Sequence, residues 1–401
     1  MAVGIVAEYD PFHLGHAYQI SAVRERFGDV PVVAAVSSDF TQRGVPAFCD
    51  KWTRAKAAVM CGVDLVLELP LPFCCSNAGV FANAAMEIFA ASGVVDSVSF
   101  GMENPDLASV DTISSILVHE ADTFKADLQF FLGEGFSFAS SRAKALERSC
   151  AGAGELLRQP NNSLAVEYVT AAKRLGCAFG FFPVARIGAG FRDTGAGGVM
   201  SASGVRAALR RGDFATAFSA MPKGSAEVLR GCLESGRCSV DLSPLWNALR
   251  LLFFRSGARG AARFSDMTEG IESRFVRAVE GCGGFDELVE RVATRRYPKS
   301  RVRRTLISFL LGVEKEDAAL FQSRGVPYLR PLAMSARGRA LLRDMRKCAS
   351  LPVVLKPAAL RGDDYAQRVM SLGVRGARIW EGLVGSPDFR REITAVPFIA
   401  E

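Results

Sequence analysis

Val3-Gly4-Ile5-Val6-Ala7 is an unbroken apolar run of small and β-branched residues. That pattern belongs to a strand buried on both faces, as in a parallel sheet covered by helices. After the loop Glu8 to Gly15 the period changes. His16, Ile20, Val23 and Phe27 repeat at helical intervals, and Gly28 follows as a stop. Val30 to Val36 reads as a second strand. Trp52, Ala55, Val59 and Met60 mark a helix, and Val63 to Leu69 a third strand ending at Pro70. A helix over Ala78 to Ala91 leads through Gly93 to a fourth strand, Val94 to Phe100. This β-α-β-α rhythm predicts an α/β fold, a Rossmann-like doubly wound parallel sheet. Such sheets bind ligands beyond the carboxyl ends of their strands, so the loops Glu8 to Gly15, Ser37 to Asp50 and Gly101 to Asp106 are expected to converge on one site.

Further along, the chain reads as helical from Pro105 to Leu175 and extended from Ala178 to Ile187, with a Gly-rich loop over Gly188 to Gly198. Beyond Pro222 the strand rhythm fades, and Pro244 to Phe254 and Val302 to Leu311 read as helices. With 401 residues, two domains are expected. The boundary is placed near residue 225, between a catalytic domain over residues 1–225 and a mainly α-helical, basic domain over residues 226–401.

Composition narrows the class. Hydrophobic residues make up 49% and charged residues 23%, a globular balance. No stretch approaches the roughly 20 apolar residues of a membrane span. Met1 to Glu8 lacks the basic-then-apolar order of a signal peptide, so a cytoplasmic location is expected. None of the ten cysteines forms a CxxC pair, and none is spaced with the three histidines as a zinc site would be. The cysteines read as small buried hydrophobes, and no dedicated metal site is expected.

The chemistry concentrates at Asp10-Pro11-Phe12-His13-Leu14-Gly15-His16. Two of the three histidines stand three residues apart where strand gives way to helix. Free N–H groups and the helix dipole favour an anion there, and Gly15 lets a phosphate approach the backbone. Histidines aimed at such an anion suit phosphoryl chemistry, whose transition state spreads negative charge over oxygens. The alternative is two histidines that satisfy hydrogen bonds at a turn. Gln42-Arg43-Gly44 and Asp50-Lys51-Trp52-Thr53-Arg54 could frame the same site, with Arg43 and Lys51 as triphosphate contacts and Asp50 as an N-cap. Ser201, Ser203 and Arg206 precede or open a helix, so they read either as a pyrophosphate cradle or as a capping serine with a solvated arginine. From Arg291 to Arg304 the chain reads RVATRRYPKSRVRR, seven cations and no acid, within a net charge of +7. Arg291, Arg295, Arg296, Lys299, Arg301, Arg303 and Arg304 could follow a polyanion, with Tyr297 stacking on a base; a solvated helix face is the alternative.

GIVAEYDPFHLGHAYQI resembles the HxGH-bearing first loop of the nucleotidyltransferase superfamily, and most closely that of the bacterial tRNA(Met) cytidine acetate ligase family. FTQRGVPAFCDKWTRA, GVDLVLELP, VVDSVSFGMEN, QPNNSLAVEY, ARIGAGFRDT and SASGVRAAL resemble the same family in the same order, across the first 210 residues. RRYPKSRVRR and VPYLRPLAMSARGRALL are more loosely similar. The resemblance implies that His13 and His16 are catalytic. It also implies nucleotide contacts at Val6, Ala7, Glu8, Tyr9, Asp10, Pro11, Phe12, His13, Leu14, Gly15, His16, Gly101, Asn162, Arg186 and Ile187. Gly101 could equally be a turn glycine and Asn162 a helix cap, and Asn161 is as well placed to be the contacting amide. Asp10 and Leu14 stand where the family usually has Asn. An acid beside phosphates and a missing amide are expected to alter ATP affinity rather than reaction type.

The implied reaction activates acetate with ATP as acetyl-adenylate and transfers the acetyl group to the wobble cytidine of elongator tRNA(Met). Mg²⁺ is expected to arrive with ATP, held by phosphates and water. No stable protein partner is inferred. Two other readings compete: an adenylyltransferase that builds a small nucleotide cofactor, and an RNA-binding protein that keeps a nucleotide pocket without catalysis.

Overall fold

The computed structural model describes residues 2–186 and 199–400. Five parallel strands, β1 (Val3–Ala7), β2 (Val32–Ser37), β3 (Leu65–Leu69), β4 (Ser97–Met102) and β5 (Gly180–Ala185), form most of the sheet. Its full order is β5-β4-β1-β2-β3-β6-β7. The chain moves from β1 outward through β2 and β3, then returns to the other side of β1 for β4. The order reverses at β1, so a crevice opens between the carboxyl ends of β1 and β4. Helices α1 (Leu14–Phe27), α2 (Lys51–Met60) and α3 (Ala78–Ser92) make the first crossovers.

The two faces of the sheet are divided by the strand's period of two. Val32, Ala34 and Val36 of β2 join Ile20, Val23, Trp52, Ala55 and Val59 from α1 and α2. Val33 and Ala35 point the other way, onto Phe81, Ala85, Ile88 and Phe89 of α3. That second core continues without a break into Trp246, Phe253, Phe275, Phe309 and Trp380 from the C-terminal half.

The expected α/β architecture is present, with the first strand as expected and the second to fourth displaced by two or three residues at their starts. The C-terminal half is mainly helical. It also returns to the sheet, a contribution its periodicity did not announce. β6 (Pro331–Met334) pairs antiparallel with β3, and β7 (Phe398–Ile399) pairs parallel with β6. Strands of four and two residues are too short to show a period.

Candidate active site

β1 ends at Ala7, and the backbone turns at Tyr9, whose φ of 47° lies in the left-handed region. Burial holds it there: Tyr9 is 1% and Phe12 0% exposed. Their rings lie 4.8 Å apart and both touch His16, Tyr9 edge-on at 4.9 Å and Phe12 at 5.3 Å. Tyr9 and Phe12 therefore act as a mould for a histidine rather than as a surface for a ligand.

The two histidines cap α1 reciprocally. Gly15 N–H donates to His13 Nδ1 at 3.0 Å, and His13 N–H donates to His16 Nδ1 at 3.2 Å. Each Nδ1 is thus an acceptor without a proton, which leaves the proton of each neutral ring on Nε2. The rings lie 3.8 Å apart and 30° from parallel. Burial pushes His13 down to about 4, helped by Arg186 and Arg206, and pushes His16 well below the usual range, helped by His13 and Arg186. Both stay neutral near pH 7 and offer a pair of N–H donors. Gly15 is required by the same geometry: a Cβ there would stand 2.8 Å from His13 Cε1 and 3.4 Å from Val199 Cγ1.

Across the crevice, Asn162 is buried and its Oδ1 accepts from Glu103 N at 3.0 Å and Asn104 N at 3.3 Å. It lies inside the helix Pro160–Arg174 rather than ahead of it, so it is not the cap. Glu103 takes that role, accepting from Asn162 N at 3.0 Å. Asn161 binds Glu103 with its amide nitrogen and accepts from Arg186 Nη1 at 3.1 Å. Arg186 is exposed, and its backbone follows the end of β5. Gly101 belongs to β4 itself, paired with Val184, and is not a turn glycine after the strand. A Cβ on it would meet Arg186 Cγ at 3.4 Å. His13, His16, Gly101, Asn161, Asn162 and Arg186 are thereby brought to one crevice. Ile187 and the Gly-rich loop after it lie outside the described residues.

Asp10 behaves differently from the expectation of a bare acid beside phosphates. Its Oδ1 accepts from Phe48 N at 2.6 Å, and its Oδ2 sits 3.3 Å from Arg206 Nη1, which also donates to the Asp10 carbonyl. Arg206 Nη1 is thus engaged by the loop, and the same guanidinium lies near enough to His13 to help lower its pKa. Ser201 caps the helix Ala202–Arg210 through Gly204 N and meets Ser203 Oγ at 2.9 Å. Leu14 is 39% exposed at the first turn of α1. Burial, first, and the neighbouring Asp10 raise the Glu8 carboxyl, whose Oε1 accepts from Gln42 N at 2.8 Å; exposed Arg43 opposes that rise. Val6, Ala7 and Pro11 contribute backbone to the strand end and turn.

Lys51 is a correction. Its ammonium does not reach the crevice: it is 0% exposed and bonds Glu68 at 2.6 Å and Glu392 at 2.7 Å. Arg54, expected only to frame the site, organises it. It is buried, and its guanidinium donates to the carbonyls of Glu8 (2.6 Å), Ser37 (2.8 Å), Ser38 and Cys49 (3.0 Å). One fork thus fixes the ends of β1 and β2 together.

The basic run is largely neutralised in space. Arg291 pairs with Glu287, Arg296 with Glu269, Lys299 with Glu290, Arg301 with Asp266 and Arg303 with Asp286. Arg295 lies over the Phe136 ring, and Arg304 donates to the Gln42 carbonyl at 3.4 Å. Tyr297 is 6% exposed with its hydroxyl on Glu269 and Thr268, so its ring is not presented for stacking on a base.

Known proteins are similar to this chain over nearly its whole length. Residues 1–392 match the HIGH Nucleotidyl Transferase family. The tRNA(Met) cytidine acetate ligase of Acetivibrio thermocellus is 32% identical, covering 97% of this chain and 96% of its own length. That of Syntrophotalea carbinolica is 34% identical, covering 97% of each. The crystal structure of Thermotoga maritima TmcAL bound with alpha-thio ATP superposes with a TM-score of 0.91 at 29% identity, over 99% of both chains. Paired histidines at the switch point, on a fold shared from end to end with these relatives, place the chain in the tRNA(Met) cytidine acetate ligase family of HIGH nucleotidyltransferases.

Proposed function

We propose that this chain is an ATP-dependent acetate ligase that acetylates N4 of the wobble cytidine of elongator tRNA(Met). The observation that carries this reading is the reciprocal histidine cap, which leaves two Nε2–H donors at the start of α1. In the first step an acetate oxygen attacks the α-phosphorus of ATP, and the bond to pyrophosphate breaks. His13 and His16 stabilise the charge that grows on the phosphate oxygens, and neutral donors do so without exchanging a proton. In the second step the cytidine N4 amine attacks the acetyl carbonyl, loses a proton, and AMP departs. Gly101, Asn161, Asn162 and Arg186 are assigned to holding the nucleotide. Glu8 and Asp10 already accept backbone N–H groups, so Mg²⁺ is taken as part of the substrate MgATP. The cations of the Arg291 to Arg304 run are assigned to the tRNA backbone, exchanging surface carboxylates for phosphates.

Incubation with ATP, labelled acetate and unmodified elongator tRNA(Met) should yield N4-acetylcytidine only when ATP is present. ATP turnover that ignores tRNA but is stimulated by a small phosphate-bearing acceptor would instead support cofactor synthesis, and tRNA binding without label transfer would leave only an RNA-binding role. Measuring tRNA affinity at rising ionic strength tests the basic run. Cations seated on phosphates displace counterions, so the affinity should fall steeply with salt. A flat response removes that run from the interface.

The histidines also set a pH dependence. Between 6.5 and about 4 the unfolded chain binds a proton that folded His13 refuses. Its contribution to stability is therefore complete above pH 6.5 and declines as the pH falls toward 4. Replacing His13 by Asn should flatten that part of the stability profile relative to the parent chain. Parallel profiles in chemical denaturation would show that His13 titrates normally.

A further inference from the structure

The fold brings Cys49 to two cysteines that are near neighbours in sequence, Cys232 and Cys238. Cys49 precedes α2, Cys232 lies in the helix Lys223–Glu234, and Cys238 follows that helix. Their sulfurs all lie within 4.8 Å of one another, and all three residues are buried. Cys49 and Cys238 face each other across an antiparallel bridge with sulfurs 3.5 Å apart. Three thiolates on a Zn(II)-sized ion, with metal–sulfur bonds of about 2.3 Å, stand about 3.8 Å from each other. The cluster is therefore close to the spacing of a bound soft cation, and only small rotations of the side chains separate the two.

Three thiols that bind a divalent ion release three protons and leave one net negative charge. Arg237, adjacent to Cys238, holds its guanidinium 3.3 Å from Asp50 and 3.9 Å from Glu381, and Arg391 lies 3.5 Å from Asp50, so the cations of this corner are met by carboxylates. Asp50 is the N-cap of α2, so the positive end of that helix also faces this corner. Cys232 Sγ donates to the Arg237 carbonyl, a proton that a metal would replace. We infer that Cys49, Cys232 and Cys238 form a three-thiolate site for a soft d¹⁰ cation such as Zn(II) or Cu(I).

Its place in the fold gives it a role. Phe48, next to Cys49, donates its N–H to Asp10 of the histidine loop. The helix that carries Cys232 also sends Ser225 Oγ to the Phe12 carbonyl at 2.8 Å. A metal here would clamp both supports of that loop to one another.

The test uses the reduced, tag-free, metal-depleted full chain titrated with Cd(II) in the absence of oxygen, with no substrate present. One Cd(II) per chain should bind with sulfur-to-cadmium charge-transfer absorption and release of about three protons. Cys232→Ser and Cys238→Ser should each weaken binding about tenfold or more, since even residues that only support a ligand cost 10–100-fold. Cys348→Ser, at an exposed cysteine elsewhere, should leave it unchanged. Absence of the absorption band in the parent chain overturns the site, a result that does not depend on any variant folding. Binding unaffected by both substitutions overturns it equally, as does air oxidation to a Cys49–Cys238 disulfide in a chain that takes up no metal when reduced.

Discussion

Replacing His16 by Ala should slow acetyl-adenylate formation by about 10²–10³-fold, the usual effect of removing one aimed donor from a site that stabilises developing charge. Gly15→Ala should approach the same loss although it deletes no donor. Its methyl would begin 2.8 Å from His13 Cε1, and the ring it presses on is held through Nδ1 by the Gly15 N–H itself. The ring cannot yield without surrendering the cap. Stability should change little in His16→Asn, whose amide keeps an N–H donor, so part of the rate should return in that variant. The measurement is ATP–pyrophosphate exchange driven by acetate, followed beside circular dichroism. Exchange at the parent rate in both His16→Ala and Gly15→Ala would remove the histidine pair from the chemistry.

Lys51→Met should act on stability instead, with a loss of about 3–5 kcal/mol, because it strands buried carboxylates without their cation. The network around it is nearly closed. Lys51 and Arg330 supply two positive charges; Glu68 and Glu392 supply two negative ones. Asp39 is the surplus acid, with its Oδ2 3.8 Å from the ammonium and otherwise unpartnered, and burial holds it up at about 6 despite Lys51. Trp52 Nε1 completes the cluster on Glu392 at 3.1 Å. Urea denaturation should show the loss, and Lys51→Met/Glu68→Gln should recover part of it by removing the orphaned charge. If Lys51 touched the triphosphate, the outcome would invert: a higher KM for ATP with the denaturation midpoint unmoved.

The difference between those two positions explains what could be read from residues alone. His13, Gly15 and His16 were legible because their partners are each other, within three residues, and because strand and helix periods are local signals. The α/β class followed from the same signals. Lys51 looked like a phosphate ligand because its partners, Glu68 and Glu392, stand 17 and 341 residues away on other elements. Arg54 gave no signal, since its ligands are backbone carbonyls that any residue could offer. The Arg291 to Arg304 run contains no acid, yet its acids lie just ahead of it, at Asp286, Glu287 and Glu290, and on an earlier segment, at Asp266 and Glu269. Asp10 could not be told from a free charge without seeing Arg206 fold back onto it.

The last strands carry a consequence for how such a protein is made. β3 has nothing on its outer side until β6 arrives, and Glu392, just ahead of β7, neutralises an ammonium planted at the beginning of α2. During synthesis the histidine loop is made long before these partners and waits, with a raw sheet edge and a half-satisfied ion cluster beneath it, until Pro331–Met334 and Glu392 have followed. A product truncated ahead of Pro331 should therefore be an aggregation-prone precursor rather than a slow enzyme, so quality control falls on β6, Glu392 and β7.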